Sequence, residues 1–329
     1  MPSYDALLVL GFGGPENPED VIPFLENVLR GRNVPRQRLM AVAEHYYHFG
    51  GRSPINDQCR ALIAALQPHL DLPIYWGNRN WHPMLEDTMR RMAQDGIQRA
   101  LVFVTSAYSS YSACRRYLED LERARMAVGP GAPVCEKLRH FYNHAGFVEP
   151  NAAHLRAALA EAPGAPVLFT AHSIPLEMAR TSKYVEQLEE AARLISGAAG
   201  VSEYRLVYQS RSGPPQQPWL EPDILRALDD TRAGGAEAVV VAPIGFISGH
   251  MEVLYDLDYE AVQHCEMIGL KMVRAGTAGT HPRFIEMIVE LVAERRAGLI
   301  SADPCRQDCC PAPFRRDPNP APGSASIVP

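Results

Sequence analysis

The stretch VLFTAHSIP, residues 167–175, decides the fold. Apolar and β-favouring residues run without a break into a histidine, a serine and a turn-forming proline. A short run of this kind, apolar on both faces, predicts a strand buried in a parallel sheet. Its imidazole then falls at the carboxyl end of the strand, where open parallel sheets bind their ligands.

The same pattern recurs on both sides. YDALLVLGF (4–12), LPIYWGN (72–78), RALVFVTSA (99–107) and PVCEKLRHF (133–141) read as strands before it, and YRLVYQS (204–210), AEAVVVAPIGF (236–246) and KMVRAG (271–276) after it. Stretches of helical period separate them, at 17–31, 59–70, 84–96, 114–129, 184–200, 222–235, 251–269 and 281–298. Asn17, Pro18 and Gly31 punctuate the first of these, and Pro23 interrupts it. EHYYHFGGRSPIN (44–56) reads as a loop that could form a lip over an aromatic ligand. Alternating strands and helices predict an α/β chain of two Rossmann-like, doubly wound domains with parallel sheets and a cleft between them. The expected division is 1–141 with a returning helix in 281–300, then 142–280, then a Pro-rich, Cys-bearing tail at 301–329.

Composition excludes several classes. Of 329 residues, 47% are hydrophobic and 21% charged, so a packed core is available and wholesale disorder is not expected. The net charge of −6 and a pI near 6.0 argue against a nucleic-acid binder. No apolar run is long enough to span a bilayer, and no basic residue precedes Arg30, so the expectation is a cytoplasmic protein without a leader. GFGGP (11–15) lacks the GxGxxG spacing, so no nucleotide cofactor is expected. It reads either as a tight turn or as a close backbone approach to a flat ligand, with Phe12 facing it.

Four strand ends carry polar residues that would converge on the cleft: GFGGPEN, TSAYSSYSACRRY, TAHSIP and PIGFISGHME. His172 is either a satisfied structural histidine or a metal ligand and base. Glu252, Asp256 and Glu260, spaced i, i+4, i+8, form either a solvated face or an acidic path that leads a cation inward, with His250 adding a nitrogen. Cys305, Cys309 and Cys310 are either exposed thiols or ligands of a metal or cluster.

Taken in order, LLVLGFGGPENPEDV, HYYHFGGRSPIN, YWGNRNWHP, TSAYSSYSACRRY, FTAHSIP, YQSRSGPPQQPWLEPDI and PIGFISGHMEVLYDLD resemble the ferrochelatases, and among them the coproporphyrin III ferrochelatases of actinobacterial, Gram-positive type. The resemblance runs to about residue 300. It implies a class II chelatase-like fold and insertion of Fe2+ into coproporphyrin III to give coproheme. The alternatives are protoporphyrin IX as substrate, or a carrier without catalysis. It implies His172 and Glu252 as the catalytic and metal-site pair, meeting from facing walls over the macrocycle with the imidazole unprotonated, and Asp256 and Glu260 as a relay. Ser53, Tyr117, Tyr46, Phe12 and Arg52, with Arg32, would hold the porphyrin. Phe12 stands where some relatives have an iron-ligating tyrosine, and Gly249 where an aspartate is usual. Cys305, Cys309 and Cys310, with Cys114 or Cys135, would bind a [2Fe–2S] cluster. Expected partners are coproporphyrin III, Fe2+ and, transiently, neighbouring haem-pathway enzymes.

Overall fold

Among the described residues, eight short strands set the architecture, the inner ones buried along both faces. They are β1 (Ala6–Gly11), β2 (Ile74–Asn78), β3 (Arg99–Val104), β4 (Val134–Lys137), β5 (Val167–His172), β6 (Tyr204–Gln209), β7 (Ala238–Ala242) and β8 (Lys271–Arg274). This is a computed structural model, and it describes residues 3–31, 34–214, 216–299 and 309–312. The strands form two four-stranded sheets with orders β2-β1-β3-β4 and β6-β5-β7-β8. Every pairing within them is parallel. The second sheet thus repeats the order of the first, as the paired α/β halves of the sequence predict.

The helices are α1 (Val21–Val28), α2 (Arg36–His48), α3 (Ile55–Leu66), α4 (Leu85–Gln94), α5 (Arg116–Val128), α6 (Ala145–Glu161), α7 (Leu176–Arg180), α8 (Tyr184–Ala199), α9 (Ile224–Ala233), α10 (Met251–Val253), α11 (Val262–Ile268) and α12 (Pro282–Arg296). Pro23 is tolerated because α1 begins only at Val21, after a 3-10 turn, so the proline falls in the first helical turn where its missing N–H costs nothing.

The sequence reading of 44–56 as a loop is corrected. α2 continues to His48 and α3 starts at Ile55, leaving a turn with Gly50 and Gly51 at positive φ. Aromatic and histidine side chains on both faces of α2 hid its period. α6 also went unread, because Pro150 lies inside it and small residues dilute its apolar face. The reading of 133–141 as a strand shortens to Val134–Lys137.

One core joins the halves. Phe103 of the first sheet stacks on Phe141 at 5.2 Å, and Phe147 on α6 and Phe284 on α12 pack edge-on against Phe141. Phe169 and Ala171 of the second sheet belong to the same buried cluster. Each such side chain contributes roughly 1.5–3 kcal/mol by leaving water. α12 is also tied outward by ion pairs, Arg295 to Glu136, Arg139 to Glu294 and Arg283 to Glu149.

The carboxyl ends of the strands are held by fixed turns. Gly13 has φ +82°, and a Cβ there would come 2.9 Å from the Asn78 side chain, so the GFGGP turn requires glycine. Asn56 fastens that turn by donating to the carbonyls of Gly14 and His82 and to the Glu16 carboxylate. At the end of β7, a Cβ on Gly245 would lie 2.5 Å from the Ala171 Cα, so the chain crosses directly over β5 there. Tyr108, fully buried after β3, donates to the Ile244 carbonyl and links the two sets of strand ends.

Candidate functional site

Parallel pairing puts the ends of β5 and β6 level, with His172 opposite Gln209. His172 is anchored at its ring and at its backbone. The ring Nδ1 lies against the Ser173 carbonyl, and the His172 backbone carbonyl accepts from the Tyr184 hydroxyl at 3.0 Å. An Nδ1 facing a carbonyl carries the proton, which leaves Nε2 to point elsewhere. Nε2 stands 3.4 Å from the Glu252 carboxylate.

Glu252 begins after the loop that follows β7. His250 caps its helix by accepting from the Glu252 N–H, and Gln209 donates to the Glu252 carbonyl at 2.9 Å. β5 and β7 are neighbours in one sheet, so the groups at their ends arrive side by side. This corrects the expectation that imidazole and carboxylate come from facing walls: both belong to the same wall.

Their charges are coupled. Burial pushes the His172 imidazole down, but the Glu252 carboxylate outweighs it and raises the pKa above 6.5. Burial pushes Glu252 up, and the imidazole more than reverses this. The pair rests as imidazolium and carboxylate, where the sequence reading expects a neutral imidazole. A metal ion must therefore displace a proton to bind Nε2.

Beyond Glu252 the helix widens into a π segment, Leu254–Ala261. Such segments are rare outside functional sites. Asp256 accepts from the Ser210 hydroxyl and, at 3.4 Å, from Gln209 Nε2. Burial raises Asp256 to about 7; Ser210 opposes the rise, and the charges of Glu252 and Glu260 add to it. Burial, then Asp223, raises Glu260 as well. The stripe Glu252, Asp256, Glu260 is thus electrically continuous; Asp256 is poised to take a proton near neutrality, and Glu260 is shifted in the same direction.

The opposite wall is aromatic. Phe24 packs edge-on against Phe12 at 6.2 Å, Tyr46 at 5.7 Å and Trp81 at 6.4 Å. Burial raises the Tyr46 hydroxyl and the charge of Glu252 raises it further. Phe12 is pinned from behind, its carbonyl accepting from the Asn80 N–H at 3.1 Å. Further along α2, His45 stacks on Tyr255 at 3.7 Å and His48 lies 4.1 Å from Tyr259. With Glu44 and Tyr47 these rings line a hollow of about 390 Å3 at the mouth of the cleft.

The remaining porphyrin candidates divide. Tyr117 is buried, with the Arg79 guanidinium 4.4 Å above its ring. Ser53 is buried behind Gly14, its N–H donating to the Pro15 carbonyl. Arg52 is exposed and paired with Asp57 at 2.5 Å. Arg32 lies outside the described residues. Arg79, Gln209, Ser210 and Trp81 were missed; each directly follows or ends a strand, which was the signal available.

The tail touches the body at one corner. Arg115, at the end of a π turn spanning Tyr111–Arg115, donates to the Cys309 carbonyl at 3.0 and 2.7 Å. Burial pushes the Cys310 thiol up to about 12, and Cys309 and Cys114 act on it in the same direction. Cys114 is therefore the internal cysteine beside the tail, whereas Cys135 sits on β4 near Arg125. A [2Fe–2S] cluster takes four thiolates. Cys114, Cys309 and Cys310 have the right donor chemistry, and Cys305 lies outside the described residues. Among the described residues, no three His, Cys, Asp or Glu side chains converge as metal ligands.

No helix among the described residues is long and apolar enough to cross a membrane. The fold is similar to that of the sirohydrochlorin chelatase SirB of Bacillus subtilis subspecies spizizenii, solved in complex with cobalt. Its TM-score is 0.55 at 12% identity, over 89% of this chain and 95% of that one. In sequence, the chain is 53% identical to a ferrochelatase of Rhodopirellula baltica, over 97% of this chain and 96% of the relative. It is 50% identical to the coproporphyrin III ferrochelatase of Nocardia farcinica, over 95% and 97%. The ferrochelatase family profile matches residues 4–296. With sheets, strand-end residues and relatives in agreement, the chain belongs to the ferrochelatase family.

Proposed function

We propose that this ferrochelatase works on coproporphyrin III, inserting Fe2+ to give coproheme, with His172 and Glu252 as the groups that handle metal and protons. The observation that carries the reading is the His172–Glu252 contact set opposite the wall of Phe12, Phe24, Tyr46 and Trp81. A flat, apolar macrocycle fits between an aromatic wall and a polar one. The substrate named for the Nocardia farcinica relative supports the choice of porphyrin.

The reaction exchanges two pyrrole protons for one Fe2+, so charge balances only if both protons leave. Fe2+ arriving at Nε2 of His172 displaces the imidazolium proton, and Glu252 supplies the compensating charge. Pyrrole protons pass to Glu252 and on to Asp256, whose affinity is raised to about 7, and to Glu260, whose affinity is raised as well. Phe12 has no oxygen, so at its position the aromatic wall contributes shape rather than a metal ligand. Binding between the two walls supplies the strain that exposes the pyrrole nitrogens. Ser53, Arg52 and Tyr117 are assigned to the carboxylates at the rim, and the work is assigned to the cytoplasm.

Anaerobic mixing of protein and Fe2+ with coproporphyrin III, and in parallel with protoporphyrin IX, tests this. The expected result is faster insertion into coproporphyrin III. Faster insertion into protoporphyrin IX overturns the substrate, and binding without insertion supports a carrier instead.

A second reading concerns the cysteine corner. Cys114, Cys309 and Cys310, with Cys305, are assigned to a structural [2Fe–2S] cluster, motivated by Cys114 lying beside Cys310. No step of iron insertion passes through it. Purified protein should be brown and contain inorganic sulfide; a colourless protein containing zinc removes the assignment.

A further inference from the structure

Arg79 is an enclosed cation that touches both the turn after β1 and the helix α5. Its backbone N–H donates to the Gly11 carbonyl at 3.1 Å. Its side chain is 9% exposed. Nε meets Asp120 at 2.5 Å, and Nη1 reaches the Ser112 carbonyl at 3.4 Å. The guanidinium carbon lies 4.4 Å from the Tyr117 ring and 5.9 Å from the Phe12 ring. Asp120, 4% exposed in its side chain, follows Tyr117 by one helical turn, and its other oxygen holds Arg123 at 2.5 Å.

We infer that the Arg79–Asp120 pair is a positioning device that fixes Tyr117 and Phe12 as one rigid edge of the porphyrin site and turns that edge toward substrate carboxylates. The inference rests on the reading that Tyr117 faces a porphyrin carboxylate. Asp120 ties Arg79 to the turn of α5 that carries Tyr117, while the peptide at Arg79 ties it to the turn that carries Phe12. Two arginines share one carboxylate, so the cluster keeps an excess positive charge behind the tyrosine. A ring beneath a desolvated guanidinium loses freedom to rotate. Burial raises the Tyr117 hydroxyl and Arg79 opposes that rise, so the guanidinium keeps the phenol a better donor than burial alone would leave it. Arg79, whose guanidinium is engaged by Asp120 and the Ser112 carbonyl, acts through Tyr117.

The test uses the full-length enzyme with Arg79→Met, Arg79→Lys and Asp120→Asn. Steady-state insertion and the fluorescence quenching of metal-free porphyrin are measured for coproporphyrin III and protoporphyrin IX, alongside thermal unfolding. Losing one charge-assisted contact predicts that Arg79→Met raises the coproporphyrin KM and Kd about tenfold, with kcat within about twofold. Arg79→Lys and Asp120→Asn are expected to fall between Arg79→Met and the parent, so a misfolded methionine variant leaves the proposal testable. The loss should be larger for the porphyrin with four carboxylates than for the one with two. Equal loss for both porphyrins, or a kcat collapse at unchanged KM, overturns the inference. The parent enzyme's own preference reports separately on the substrate reading.

Discussion

Nε2 of His172 and the Glu252 carboxylate stand 3.4 Å apart on the same wall, and each sets the charge of the other. Because the carboxylate holds the imidazole protonated above its ordinary 6.5, Fe2+ competes with a proton at neutral pH. The value of kcat/KM for Fe2+ should therefore rise with pH through the raised titration. In Glu252→Gln the strongest contribution holding the proton is gone, and burial is opposed only by the Ser173 carbonyl and Asp256, so the imidazole pKa falls. The acid limb should move to lower pH while the maximum falls by about 100-fold or more, the loss of a general base. A pH-rate profile decides it; a limb that stays put or moves upward refutes the coupling.

Ser210 is held at φ 63°, a left-handed backbone that costs a non-glycine residue, and it gives its hydroxyl to Asp256. That bond opposes the rise of Asp256, so removing it should raise the carboxyl further and leave it protonated more of the time at pH 7. Ser210→Gly relieves the backbone and Ser210→Ala does not. Both should lose kcat about three- to tenfold, while only the glycine variant keeps or gains thermal stability. Activity that follows stability instead would remove the relay role.

Gly249 has room where the sequence resemblance leads one to expect an aspartate. Among the described residues, the only atom within 4 Å of a Cβ built there is Gln58 Nε2, at 3.9 Å, and Gln58 donates to the Gly249 carbonyl from α3. Gly249→Asp should fold normally and add a carboxylate near the pair. Lower KM for Fe2+ with an unfolding midpoint close to the parent's is the expected result. A midpoint drop of several degrees would show that the space is not free.

Phe284 joins α12 to the shared core against Phe103, Phe141 and Phe147. Phe284→Ala should cost roughly 3–5 kcal/mol in urea unfolding. Because this cluster also contains Phe169, which lies on the strand that carries His172, binding of porphyrin should weaken together with stability. A fall in stability without any change in porphyrin affinity would mean that the core and the site are independent.

The sequence by itself determined the repeated strand-helix grammar, the parallel sheets and the arrival of His172 at a strand end. These rest on local facts, since an apolar run of five or six residues and a turn signal are complete within a few positions. The motifs also marked Glu252, Asp256 and Glu260 at a spacing that survives in the π segment. Tertiary structure alone decided that His172 and Glu252 share a wall, that Cys114 rather than Cys135 lies beside Cys310, and that Arg79 meets Asp120 beneath Tyr117. It also supplied the helices α2 and α6, whose mixed faces carry no clear period. The physical reason is distance along the chain. Partners forty to two hundred residues apart are chosen by which strand lies next to which, and strand order is an energy of the whole packed core, written in no single stretch of residues.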